Sequence, residues 1–171
     1  MAYKYAFQNY DEKKMARGVG ISLPISHKQA REICSYIKNK KVDMVKKSLN
    51  RVLEMKEAIP FKRFNMDVGH KPGNIAAGRY PQNSTWEILK LVESVEKNAI
   101  NKGLSKELYI ASACAHIAPA GPRGGRTAGE AKKAHVEIII EEKEVEKKKE
   151  TKKPNFDKVK MGPAHGGEIG K

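Results

Sequence analysis

Between Glu107 and Glu130 the chain carries no acidic residue, and the middle of that gap reads Pro119-Ala120-Gly121-Pro122-Arg123-Gly124-Gly125-Arg126. The flanking stretches read as strands. Leu108, Ile110, Ser112 and Cys114 share one face of the first, and Val136, Ile138 and Ile140 share one face of the return strand, His135 to Glu142. Two strands around a Gly- and Pro-rich connection make a long hairpin finger. Its tip has too little apolar content to fold on itself, so its order must come from a partner. The absence of carboxylates makes that partner polyanionic, which points to nucleic acid.

The rest of the chain supplies helices for the hairpin to pack on. Ser26-His27-Lys28-Gln29 has the spacing of a capping box, and Ala30, Ile33, Cys34 and Ile37 recur at helical intervals, predicting an amphipathic helix that ends near Asn39. A second helix is predicted from about Asp43, with Val45, Leu49, Val52 and Leu53 on one face, and Pro60 is expected to stop it. A third is predicted from a capping box at Ser84 to Glu87, with Ile88, Leu91, Val92, Val95 and Ala99 buried and Lys102-Gly103 at its end. Residues 60–83, rich in Gly and Pro, read as a long irregular loop of the kind that is functional or held by a partner.

A shorter strand around Val19 to Leu23 joins the hairpin. The predicted fold is α+β, with three helices packed on a small three-stranded antiparallel sheet and a long protruding β-hairpin. Residues 1–14 form an N-terminal extension, and residues 15–142 an RNA-binding domain including the hairpin at about 108–142. Residues 143–171 form a Lys/Glu-rich, then Gly- and Pro-containing tail. The tip and the tail are expected to be disordered in the free protein.

A net charge of +14 over 171 residues needs a partner of opposite sign. Lys and Arg outnumber Asp and Glu by more than two to one over residues 1–65, whereas residues 66–110 are nearly balanced. Aromatic residues make up only 6%, so phosphate contact is favoured over base stacking. Cys34 and Cys114 lie in different predicted elements without a CxxC pair, which fits reduced thiols in the cytoplasm. No apolar run is long enough to span a membrane, and the polar N-terminus lacks the apolar core of a signal peptide.

Sites of chemistry do not emerge. Gly124 and Gly129 have P-loop spacing, but the next residue must be a phosphate-binding lysine and is Glu130, which repels phosphates. Cys114, His116 and His135 offer three candidate metal ligands where structural zinc takes four, so they read as a small buried thiol and two hairpin histidines. His27, His70 and His165 are scattered, with no Ser/His/Asp constellation and no paired carboxylates. The chain is expected to be no enzyme, with no cofactor, metal or small-molecule substrate.

Ile59-Pro60-Phe61-Lys62-Arg63-Phe64-Asn65, then Val68-Gly69, then Gly78-Arg79-Tyr80-Pro81, closely resemble the archaeal and eukaryotic form of large-subunit ribosomal protein twenty-two, called seventeen in eukaryotes. The Ser26-His27-Lys28-Gln29-Ala30-Arg31 helix start, the Lys102-Gly103-Leu104 helix end, the basic hairpin and His135-Val136-Glu137-Ile138 fall where that family has them. The likeness covers about residues 15–142. One departure is a tip several residues shorter, and poorer in arginine, than the family pattern.

The resemblance implies a structural constituent of the large subunit that ties together domains of ribosomal RNA, its hairpin lining the nascent-peptide tunnel. The expected partners are large-subunit ribosomal RNA, neighbouring ribosomal proteins and the nascent peptide, in the cytoplasmic ribosome. Expected RNA contacts are Arg17, Lys28, Arg31, Lys46, Lys47 and Arg51 in the first part of the chain. Lys62, Arg63, His70, Lys71 and Arg79 follow in the loop, where Phe61, Phe64 and Tyr80 serve as anchors. Arg123, Gly124, Gly125, Arg126, Lys132 and Lys133 follow on the finger, where glycines let backbone approach RNA closely. Pro119, Ala120, Gly121, Pro122 and Arg123 form the tunnel tip. The competing readings are a free RNA chaperone or general nucleic-acid-coating protein, and a nucleotide-dependent enzyme of ribosome assembly, which Glu130 argues against.

Overall fold

Helices form where apolar residues recur at three- and four-residue spacing, and each buries that stripe. In the computed structural model, which describes residues 3–104, 107–124 and 129–143, the helices are α1 (His27–Ile37), α2 (Val42–Leu53) and α3 (Gln82–Asn101). The strands are β1 (Met15–Leu23), β2 (Ile59–Pro60), β3 (Gly78–Arg79), β4 (Leu108–Ile117), β5 (Gly121–Pro122), β6 (Glu130–Ala131) and β7 (Ala134–Glu142). β1, β7 and β4 form an antiparallel sheet in that order, with the hairpin's return strand at its centre. Among the described residues this is the expected α+β arrangement of three helices on a three-stranded sheet.

The helix ends correct two expectations. Ser26 occupies the N-cap of α1 as predicted, but its hydroxyl makes no capping bond. Gln29 Oε1 instead accepts a hydrogen bond from the Ser84 hydroxyl at 2.9 Å. Ser84 is therefore not a cap: it is buried inside α3, which already opens at Gln82 with Pro81 at its N-cap. The other end of α3 is as predicted. Gly103 takes φ 77°, and the N–H groups of Gly103 and Leu104 reach the carbonyls of Ile100 and Ala99 at 2.9 and 3.1 Å, a Schellman pair.

The sheet departs from the expected strand faces at one residue. Ile110 pairs with Ile140, but the next pair is Ser112 with Ile139, so Ala111 is a bulge. A bulge moves every later side chain to the other face. Beyond it, Ala113 and Ala115 pair with Ile138 and Val136, whereas Cys114 pairs with Glu137. Cys114 therefore does not share a face with Ile110. β1 is also longer than predicted, since it follows β7 from Met15, opposite Glu141, to Leu23, opposite Ala134.

Core residues of the helices meet Val136, Ile138 and Ile140 on one side of the sheet. The approach is closest at Gly18, where a Cβ would stand 2.4 Å from Val95 Cγ2. The other face carries the N-terminal segment. The Tyr3 hydroxyl and the Ala6 N–H donate to the Glu137 carboxylate at 2.8 and 2.9 Å.

Two further ladders shape the basic regions. β2 pairs with β3, and the Phe61 N–H donates to the Ala77 carbonyl at 2.9 Å, so the long loop is closed at its neck. Beyond Ile117, the Ala118 N–H donates to the Lys133 carbonyl at 3.2 Å, and β5 pairs with β6 to carry the finger outward. Glu130 thus opens a strand, where a P-loop requires a helix. Gly125 and Arg126 of the tip, and the tail at residues 144–171, lie outside the described residues.

Candidate nucleic-acid interface

Lys28 stands in the first turn of α1, Arg63 in the loop after β2, Arg79 on β3 and Lys132 on the returning arm of the finger. The fold brings these four cations to one groove, with Phe61, Phe64 and Met66 in its lining. A second groove at the finger's root shares Lys28 and Lys132 with it and adds Lys133, Ile117 and Ala120, with Glu130 as its acidic member. The two form one basic surface that runs from the loop onto the finger. Lys62 and His70 line a separate concavity against Asn65 and Asn74.

Aromatic rings hold several of these cations in place. Lys28 Nζ and the Arg63 guanidinium each lie 5.8 Å from the Phe64 ring centroid. Arg79 lies 5.9 Å from Phe61, and Lys71 lies 5.5 Å from Tyr80. Phe61 is buried, so its ring serves as the expected anchor rather than as a platform for bases. Each such contact contributes about 0.5–1 kcal/mol at an exposed site, and it restricts the cation's rotamers before any ligand binds.

His27 sits beside this surface. Burial pushes its imidazole below the ordinary value; a hydrogen bond with the Ala115 backbone opposes that, and the nearby charges of Arg31, His116 and Arg63 add to the lowering. The surface's positive charge is carried by its Lys and Arg side chains.

Other expected contacts lie elsewhere. Lys46 bridges α2 to α3, its Nζ 2.8 Å from Glu96 Oε1 and 3.6 Å from Asp43. Arg51 lies 3.9 Å from Glu57. The Arg17 guanidinium lies over the rings of Tyr5 and Tyr10, 4.7 and 4.3 Å from their centroids. Arg31 and Lys47 are exposed on α1 and α2. On the finger, Pro119, Ala120, Pro122, Arg123 and Gly124 are exposed, Gly121 is half-buried, and the Arg123 N–H closes the tip toward the Gly129 carbonyl at 3.1 Å.

The hairpin's Cys and His residues have protein partners. His135 Nδ1 accepts from the Ser22 N–H at 3.1 Å, His116 Nε2 lies 3.4 Å from Glu137, and Cys114 Sγ lies 3.7 Å from the Ser112 hydroxyl. Among the described residues no cluster of three or more His, Cys, Asp or Glu is arranged to hold a metal.

The sequence pattern of the ribosomal protein L22p/L17e family matches residues 19–141. The chain belongs to that family. This L22p/L17e member is similar to the large ribosomal subunit protein uL22 of Archaeoglobus fulgidus, with 46% identity over 108 residues, 62% of this chain and 70% of the relative. It is 37% identical to the protein of the same name from Staphylothermus marinus over 152 residues, 82% of this chain and 97% of the relative. The corresponding protein of Methanothrix thermoacetophila is 40% identical over 118 residues, covering 68% and 74%.

One residue of this L22p/L17e member escapes the charge pattern. Glu32 is buried on α1, and its carboxylate accepts three successive backbone N–H groups, from Lys62 at 3.1 Å, Arg63 at 2.8 Å and Phe64 at 2.9 Å. The available signal in the sequence was a lone acid on α1, next to Arg31 and one turn after Lys28.

Proposed function

We propose that this protein is a structural component of the large ribosomal subunit in the cytoplasm, without catalytic activity, that binds large-subunit ribosomal RNA. The observation that carries the reading is the convergence of Lys28, Arg63, Arg79 and Lys132 from four separate segments on one groove. Cations fixed on aromatic pegs along a groove neutralise phosphates of folded RNA and release its counterions. Recognition is then of RNA shape rather than of base sequence. Family membership and the names of the similar uL22 proteins support the large-subunit assignment.

In this reading residues 15–142 are the RNA-binding domain, 1–14 an extension and 143–171 a charged tail ordered by RNA or left in solvent. The finger, with Pro119, Ala120, Gly121, Pro122 and Arg123 toward its tip, contributes to the wall of the nascent-peptide exit tunnel and meets the nascent peptide there. Neighbouring ribosomal proteins are the remaining partners. Among the described residues no helix is long and apolar enough to cross a membrane.

The test is a salt series of binding to large-subunit ribosomal RNA by the intact protein and by Lys28→Ala, Arg79→Ala and Lys132→Ala. Each loss of a phosphate contact reduces the slope of log affinity against log salt by about one. Unchanged affinity and slope in all three, with folding intact, would remove the groove from the RNA contact.

A further inference from the structure

Glu32 sits where phosphate binding argues against a carboxylate. It is 3% exposed, among Lys28, Arg31, Lys62 and Arg63. Among the described residues, every hydrogen bond it accepts comes from a backbone N–H of the loop rather than from a cation. Three successive N–H groups turned to one point form an anion-binding nest. Here the anion is built into the protein, so an RNA phosphate is excluded from the nest while the side chains of Lys62 and Arg63 remain exposed. Arg63 then lines the groove with Arg79, and Lys62 the concavity with His70. The segment thus contributes a cation to each of two hollows, and Glu32 holds the backbone that carries them.

We propose that Glu32 is a positioning residue for RNA binding: it holds residues 62–64 in their RNA-bound shape before RNA arrives, so that binding does not have to order them. The proposal rests on the RNA-binding reading above. Its physical basis is preorganisation, since ordering a loop at the moment of binding subtracts from affinity. Simple charge counting predicts the opposite sign. Removing a carboxylate from a basic surface brings more net positive charge to the RNA and tightens binding.

The experiment uses the full chain with Glu32→Ala and Glu32→Gln, and reads amide hydrogen exchange in the free protein together with affinity for transcribed large-subunit ribosomal RNA across a salt series. The Ala variant is expected to lose protection at Arg63 and Phe64 and to bind RNA about tenfold more weakly, with an unchanged salt slope. The Gln variant keeps an oxygen in place of Oε1, which accepts from Arg63 and Phe64, so it is expected to fall between the two. It also serves as the comparison if the Ala variant does not fold. Equal or tighter RNA binding by folded variants, or loop amides as protected as in the unmodified protein, would overturn the proposal. Failure of the unmodified protein to bind the RNA overturns the RNA reading instead, while the exchange data still decide whether Glu32 orders the loop.

Discussion

Replacing Gly18 by Ala tests the tightest contact between the sheet and α3. The new Cβ would stand 2.4 Å from Val95 Cγ2 and 3.7 Å from Val95 Cβ, where carbon atoms settle at about 3.5–4.0 Å. Neither partner has room to withdraw. Gly18 is paired with Ile138 of the central strand, and Val95 is fully buried. Overpacking of this kind costs about 1–3 kcal/mol, partly offset by the roughly 0.5–1 kcal/mol that Ala gains over Gly within a strand. The expected net loss is about 1–2 kcal/mol, read as a lower midpoint in urea unfolding at constant slope. The double variant with Val95→Ala makes the reasoning sharp. Val95→Ala alone leaves a cavity, and the methyl group added by Gly18→Ala fills part of it, so the double variant should be more stable than the sum of the singles by about 1 kcal/mol or more. Strict additivity, or a neutral Gly18→Ala, would refute the close contact as the cause.

Gly103→Ala should cost about 1–2 kcal/mol, because φ 77° at the end of α3 is strained for a residue with a Cβ; the same urea assay checks it. Lys46→Met should cost no more than about 1 kcal/mol, the range for a pair at this exposure. The hydrogen bond to Glu96 is the main cause of a raised Lys46 value, so the pair's contribution is complete below the unfolded lysine value of about 10.4 and is lost as pH rises through the higher folded value. The variant's deficit should therefore be constant from pH 7 to 9 and shrink only in stronger base. Burial pushes the Cys34 thiol up to about 12, so iodoacetamide at pH 8 should modify half-buried Cys114 first and reach Cys34 only after unfolding.

The helices were legible because their apolar stripes are long and regular, and Gly103 marked the end of α3 without ambiguity. Their starts were less so. Ser84 followed by Glu87 matches a capping box, yet Ser84 is buried against Gln29, a tertiary contact that local spacing does not contain. The bulge at Ala111 was likewise invisible, since a run of small residues from Ala111 to Ala115 fits either face of the sheet equally well. In the interface, charge and loop composition pointed to Lys28, Arg63, Arg79 and Lys132 individually. Their meeting in one groove depends on the β2–β3 neck, a two-residue ladder too short to leave a strand pattern. Lys46 looked like its neighbours because Glu96, its partner, lies fifty residues away. Glu32 was hidden for the opposite reason: an acid on a basic helix reads as a solvated residue until the loop's N–H groups are placed on it.

The central claim is membership in the large subunit through folded RNA, and sedimentation of native extract after a high-salt wash tests it most directly. The account predicts one copy of this protein per large subunit surviving the wash, held by the groove and the finger together. Release into the light fractions, or a ratio that varies with RNA length, would contradict it and favour a chaperone or coating protein.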